Sequence, residues 1–313
     1  MPRPLLHFLA ALAASIGVSA LSGQLDPYLL DVSMGVGIAI ILAVSLNLVN
    51  GHTGQFSLGH AGFMAVGAYL SSTVTLFLGP TLLGGDGGNA LTQGLLFAAA
   101  LAFGGACAAF AGLLIGLPSL RLKGDYLALV TLGFGEIIRV IFQNVEALGG
   151  ALGLIGMPPY TTFGWIYGCA ALAVYTVACL VNSTYGRGFL ATRDDEIAAE
   201  AVGLDTTRYK IVAFVTGAFF AGVAGGLFAH FKLAIDPRGF DFTRSIEIVV
   251  MVILGGMGRT AGVIGAAILL TLLPEILRPV AEYRMILYSL LLIVLMLVRP
   301  QGLFQWSKKG GQP

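Results

Sequence analysis

Apolar runs close to the length that crosses hydrocarbon recur along the chain, and only one long polar run interrupts them. They predict membrane helices at about 28–50, 55–78, 93–116, 125–142, 163–181, 209–231, 244–257, 261–277 and 284–299, after a first apolar segment at the N-terminus. The 244–257 span is short enough to be a half-helix paired with the next. The polar run is 182–210, NSTYGRGFLATRDDEIAAEAVGLDTTRYK. It carries Arg187, Arg193, Arg208 and Lys210 beside Asp194, Asp195, Glu196, Glu200 and Asp205. The expected fold is all-α: a polytopic membrane protein of about ten transmembrane helices. It forms a single transmembrane domain over 1–313, with 182–210 as its one extended polar loop.

The N-terminal stretch MPRPLLHFLAALAASIGVSALSG joins Arg3 and an apolar run to a small-residue site at Val18-Ser19-Ala20. A cleaved signal peptide and a retained first helix share that signature, and the many spans that come after it favour retention. Positive charge then orients the chain. With the N-terminus inside, the inner segments collect Arg3, Arg121, Lys123, Arg187, Arg193, Arg208, Lys210, Arg259, Arg299, Lys308 and Lys309. The outer segments hold Lys232, Arg238, Arg244, Arg278 and Arg284. Both termini and the 182–210 loop are thus expected in the cytoplasm. The outer loops 79–92 and 143–162 are rich in Gly or Pro. Leu152, Leu154, Ile155 and Met157 make the second apolar enough to dip into the membrane, meet an external partner or simply pack.

Composition removes the soluble classes. Hydrophobic residues make up 57% of the 313, charged residues 11%, and mean hydropathy is +0.89. A formal charge of +1 implies no nucleic acid or other polyanion as partner. Cys107, Cys169 and Cys179 lie in apolar spans and number three, which argues against both a disulfide framework and a metal site.

Within the polar run, Thr192 can cap a helix with Asp195 as its capping-box partner, and Gly203 provides a stop. Asp194, Asp195 and Glu196 suit the first turn. The helix so defined, about 192–203, carries Ile197, Ala198, Ala201 and Val202 at helical spacing. That small apolar face either enters a groove on another protein or lies on the lipid interface, held by Arg187 and Arg193. Interfacial helices bury bulkier residues than alanine. Asp205 is placed to cap the next membrane helix, near Thr206.

Polar groups inside the apolar regions supply further candidates. The string GHTGQFSLGHAG from Gly51 breaks a span, which requires its backbone to be buried in protein or to line a cavity. Gln55, Ser57 and His60 either border a translocation pathway or bond neighbouring helices. His52 and His60, eight apart without Cys or acidic partners, do not fit a zinc pattern. Glu136, Glu247 and Glu275 raise a rival class, a proton-coupled carrier, since membrane carboxylates mark proton relays. Each has an arginine three residues away, Arg139, Arg244 and Arg278 respectively, which weakens that reading. Gly217, Ala218, Ala221, Gly222, Gly225 and Gly226 suit close helix packing. No phosphate-cradling Gly-x-x-x-x-Gly-Lys-Ser/Thr loop, Ser-His-Asp set or thiol nucleophile motif stands out, so a membrane-embedded enzyme has no catalytic set here.

Several strings together resemble one family. Ile197-Ala198-Ala199 followed by Gly203 resembles the Glu-Ala-Ala-x-x-x-Gly motif of ABC importer permeases, with Ile197 in place of the Glu. The longer string GRGFLATRDDEIAAEAVGLDTTRYKIVAFVTGAFFAGVAGGLFAH resembles the permeases of branched-chain amino-acid uptake systems, the LivM-type branch in particular. GHTGQFSLGHAGFMAVGAYL, RLKGDYLALVTLGFGEIIRV, SIEIVVMVILGGMGRTAGVIGAA and RPQGLF agree with it, in order along nearly the whole chain. The resemblance implies a non-catalytic permease subunit in a bacterial inner membrane. It implies a LivH-type second permease, two cytoplasmic ABC ATPase subunits that bind the ATP, and a periplasmic substrate-binding protein. The 182–210 loop would be the coupling region, and the chain itself would hold no cofactor. Branched-chain or other hydrophobic amino acids are the implied substrates, with urea or short amides as the alternative.

Overall fold

A computed structural model describes residues 26–83, 89–120, 122, 124–278 and scattered positions up to 297. The first apolar segment, the 284–299 span as a whole, Arg121, Lys123 and the Lys308-Lys309 tail lie outside the described residues. Each expected span between 28 and 277 contains a helix, although the one at 55–78 is helical only from His60 and the one at 244–257 only to Gly255. Among the described residues, five helical stretches are long and apolar enough to cross a membrane: Pro27–His52, His60–Thr81, Ala90–Ser119, Phe163–Val181 and Thr206–Lys232. Thr260–Ile276 is apolar but shorter.

The helices are α1 (Pro27–Asn47), α2 (His60–Thr73), α3 (Gly79–Leu83), α4 (Ala90–Ser119), α5 (Asp125–Asn144) and α6 (Phe163–Val181). Next come α7 (Thr184–Asp194), α8 (Glu196–Ala201), α9 (Thr206–Lys232), α10 (Phe242–Gly255) and α11 (Thr260–Ile276). α1 starts where the local chemistry directs. Pro27 occupies the first turn, and Asp26 accepts from the Tyr28 amide at 2.9 Å. From Val36 onward α1 is buried without a polar face, as expected of a helix surrounded by others.

α9 is the hub, packed against α2, α4 and α1. Its small residues permit this. A Cβ on Gly67 of α2 would fall 2.0 Å from the Gly222 carbonyl oxygen, so the two backbones touch. Phe63 and Phe214 close the same seam edge-to-face, with ring centroids 5.4 Å apart.

Two features depart from the expected all-helical plan. The 143–162 loop contains β1 (Leu154–Ile155), which pairs antiparallel with β2 (Ala234–Ile235) just beyond α9, Leu154 opposite Ile235. The loop therefore packs: Leu154 and Met157 are buried, while Leu152 and Ile155 stay exposed. The carboxylates are only partly as expected. Glu136 pairs with Arg139 at 2.7 Å and Glu247 with Arg244 at 3.0 Å. Glu275 instead accepts from the Tyr28 hydroxyl, and Arg278 lies over the Tyr28 ring at 4.9 Å. The aromatic ring at the start of α1 has taken the place of a direct ion pair.

Candidate coupling loop and the broken helix beneath it

The 182–210 loop folds as two short helices, not one. Ser183 caps α7, accepting from the Tyr185 amide at 3.1 Å. Phe189 is fully buried and meets the Tyr209 ring edge-on, which fixes α7 against α9. Thr192 belongs to α7: its hydroxyl donates to the Gly188 carbonyl at 2.8 Å, so it does not cap α8. The cap is Asp195, whose carboxylate accepts from the Ile197 and Ala198 amides at 2.9 and 3.0 Å. The expected helix over 192–203 thus shortens to α8 at Glu196–Ala201, because Asp195 takes the role assigned to Thr192.

The other end of α8 stops as expected. Gly203 adopts φ +87°, its amide bonds the Glu200 carbonyl, and the Leu204 amide bonds that of Ala199. Asp205 caps α9 by accepting from the Arg208 amide at 3.1 Å. Two side-chain bonds then lock α8 onto α9. Lys210, 8% exposed, pairs with Glu196 at 2.6 Å, and the Thr206 hydroxyl donates to Glu200 at 2.7 Å. Ala199 faces inward and is buried. Ile197 and Val202 project outward at 73% and 78% exposure, with Ala198 and Ala201 beside them. An apolar knob on a rigidly held rod is the result. Arg187 is exposed on α7.

Arg193 connects this rod to the interior. It holds the Asp194 carboxylate with Nε and Nη2, at 3.0 and 2.8 Å. Its Nη1 donates to the Gly51 carbonyl at 3.4 Å. Gly51 sits in a π-turn, Leu48–His52, that ends α1. There the backbone is pressed against the turn between α10 and α11. The Gly258 amide donates to Asn47 Oδ1 at 2.9 Å, and a Cβ on Gly51 would fall 2.2 Å from the Gly258 nitrogen.

Residues 53–59 then re-enter the bundle without helical bonding, and α2 begins only at His60. Lipid could not satisfy such a backbone, so protein does. Asn50 and Ser57 exchange two bonds, Nδ2 to carbonyl at 3.4 Å and amide to Oδ1 at 3.2 Å. The Leu58 amide donates to the Thr131 hydroxyl at 3.0 Å, and the Ala61 amide to the Ser245 hydroxyl at 3.2 Å. His60 lies 2.9 Å from the Ser45 hydroxyl and ties α2 to α1. Ser57 and His60 are therefore bonded within the bundle. Gln55, 3% exposed, makes no side-chain hydrogen bond among the described residues. Sequence reasoning missed Asn47, Asn50, Thr131 and Ser245. Two asparagines at the end of an otherwise apolar run were the available signal.

The chain is similar to known transport permeases. The family profile described as branched-chain amino acid transport system / permease component matches residues 28–298. The high-affinity branched-chain amino acid transport system permease LivM of Salmonella typhimurium is 36% identical, over 89% of this chain and 70% of the relative. The LivM of Escherichia coli K12 gives the same figures of 36%, 89% and 70%. The LivH permease of Salmonella typhimurium is 25% identical, over 87% of this chain and 92% of its own length. No solved structure matches the chain significantly.

Proposed function

The chain belongs to the branched-chain amino acid transport permease family, and from that premise we propose that it works as one membrane half of an ATP-driven importer. It is a multi-pass inner-membrane protein. Its companion half is a LivH-type permease, in keeping with the likeness to both permease types. Two ATPase subunits dock on the cytoplasmic face and bind the ATP. A periplasmic binding protein delivers branched-chain or other hydrophobic amino acids to the opposite face. Both termini lie in the cytoplasm, as the positive-inside pattern requires.

One observation carries the coupling role: α8 is capped at both ends, ion-paired to α9, and presents Ile197 and Val202 outward. A groove on an ATPase subunit would receive that knob. When the ATPases close on nucleotide, the rod moves as a unit. Arg193 passes the displacement to the Gly51 carbonyl at the end of α1 and to the Gly258 turn pressed against it. Those are the points where helices meet without regular bonding, so they are where packed helices can shift at least cost.

Reversing both charges, Arg193→Glu with Asp195→Lys, removes the Gly51 contact and the α8 cap together. Uptake by the assembled importer should fall by about tenfold or more, while the protein still inserts. The measurement is leucine uptake in proteoliposomes, with co-purification of the ATPase subunits as the assembly control. Normal uptake with normal co-purification removes the coupling assignment.

A further inference from the structure

Resting on the amino-acid importer reading, we propose that a cavity at the other end of the bundle binds a zwitterion with an apolar side chain. The cavity encloses about 370 Å³, within the range of roughly 300–1,000 Å³ usual for small-molecule sites. It is lined from α1, α9, α10 and α11. Asp31 near the start of α1 and Lys232 at the end of α9 border it, whereas the other ends of those helices meet the coupling loop. The site therefore faces the side from which a delivered solute would enter.

Its lining offers both poles. Lys232 pairs with Asp31 at 3.1 Å, and Arg244 with Glu247 at 3.0 Å. The third lining carboxylate, Glu275, accepts from the Tyr28 hydroxyl and feels the Arg278 guanidinium, which lies over the tyrosine ring, but among the described residues it has no cation in direct contact. Glu275 is thus the group on which an incoming ammonium would settle. Arg244 spends one nitrogen, Nη1, on Glu247, which leaves Nε and Nη2 to meet a carboxylate. The same lining includes Ile38, Phe228, Met251 and Leu270, apolar surface suited to a branched hydrocarbon. A fatty acid or an alkylamine would satisfy one pole and leave the other. A zwitterion satisfies both and adds no net charge to the site.

The test uses the complete importer with its partner permease, ATPase subunits and binding protein in proteoliposomes, and L-leucine as the probe. Gly35 lines the cavity, and a Cβ there would meet only Thr271 Cγ2, at 3.9 Å, so Gly35→Leu fills space without striking backbone. Arg244→Gln and Glu275→Gln each remove one pole. All three variants should cut uptake by about tenfold or more in intact complexes, the loss expected when a charge-assisted bond or its room is removed. Arg244→Lys and Glu275→Asp should recover part of it, and Gly35→Ala should lose less than Gly35→Leu. Full uptake in the three variants, or equal loss in Gly35→Ala and Gly35→Leu, overturns the inference and leaves the permease reading standing. A wild-type importer that takes up no leucine overturns both.

Discussion

At the scale of single residues, Asp195 and Gly203 define α8 between them. Asp195→Ala leaves two amides uncapped, and Gly203→Ala places a Cβ on a backbone at φ +87°. Each should weaken α8 by about 1 kcal/mol. Hydrogen exchange of the 196–204 amides in detergent should quicken in both variants, and unchanged exchange would mean that packing, not capping, holds the rod. The Thr192 expectation failed for a local reason. Thr and Asp three residues apart are both good caps, and sequence alone does not say which hydroxyl or carboxylate is already engaged. Thr192 was engaged, by Gly188, because the buried Phe189 and the Tyr209 ring extend α7 through it.

At the scale of elements, the seam between α2 and α9 depends on glycine having no side chain. Gly67→Val would force the backbones apart where a Cβ already lies 2.0 Å from Gly222 oxygen. Overpacking of this kind costs about 1–3 kcal/mol or more. A lower melting temperature and reduced monodisperse yield on fluorescence-detected size exclusion should result. A wild-type melt would show that the helices can separate without loss. Hydropathy made the spans legible because lipid and protein interior impose the same requirement along a whole helix. It could not reveal α7, whose mixed composition resembles a solvated loop, nor β1 and β2, since two-residue strands carry no period. The broken helix was visible from GHTGQFSLGH, but its satisfaction was not. The bonds come from Thr131 and Ser245, distant in sequence and inconspicuous where they stand.

At the scale of the molecule, the 182–210 loop and the β1–β2 ladder lie at opposite ends of α9. Cysteine placed at Val202 should react with a membrane-impermeant maleimide only from the cytoplasmic face, and cysteine at Ile155 only from the outer face. The background is set by the three native cysteines. Labelling of both from one face would refute the proposed orientation. Leu154 and Ile235 bracket α6, α7, α8 and α9, so the clasp they form can shut only after α6 and α9 have both been set in the bilayer. Once shut, it pins one end of the lever. If the proposed coupling holds, a tug on the far end becomes rotation about a fulcrum, and a modest stroke at the 182–210 loop tilts α6 and α9 together.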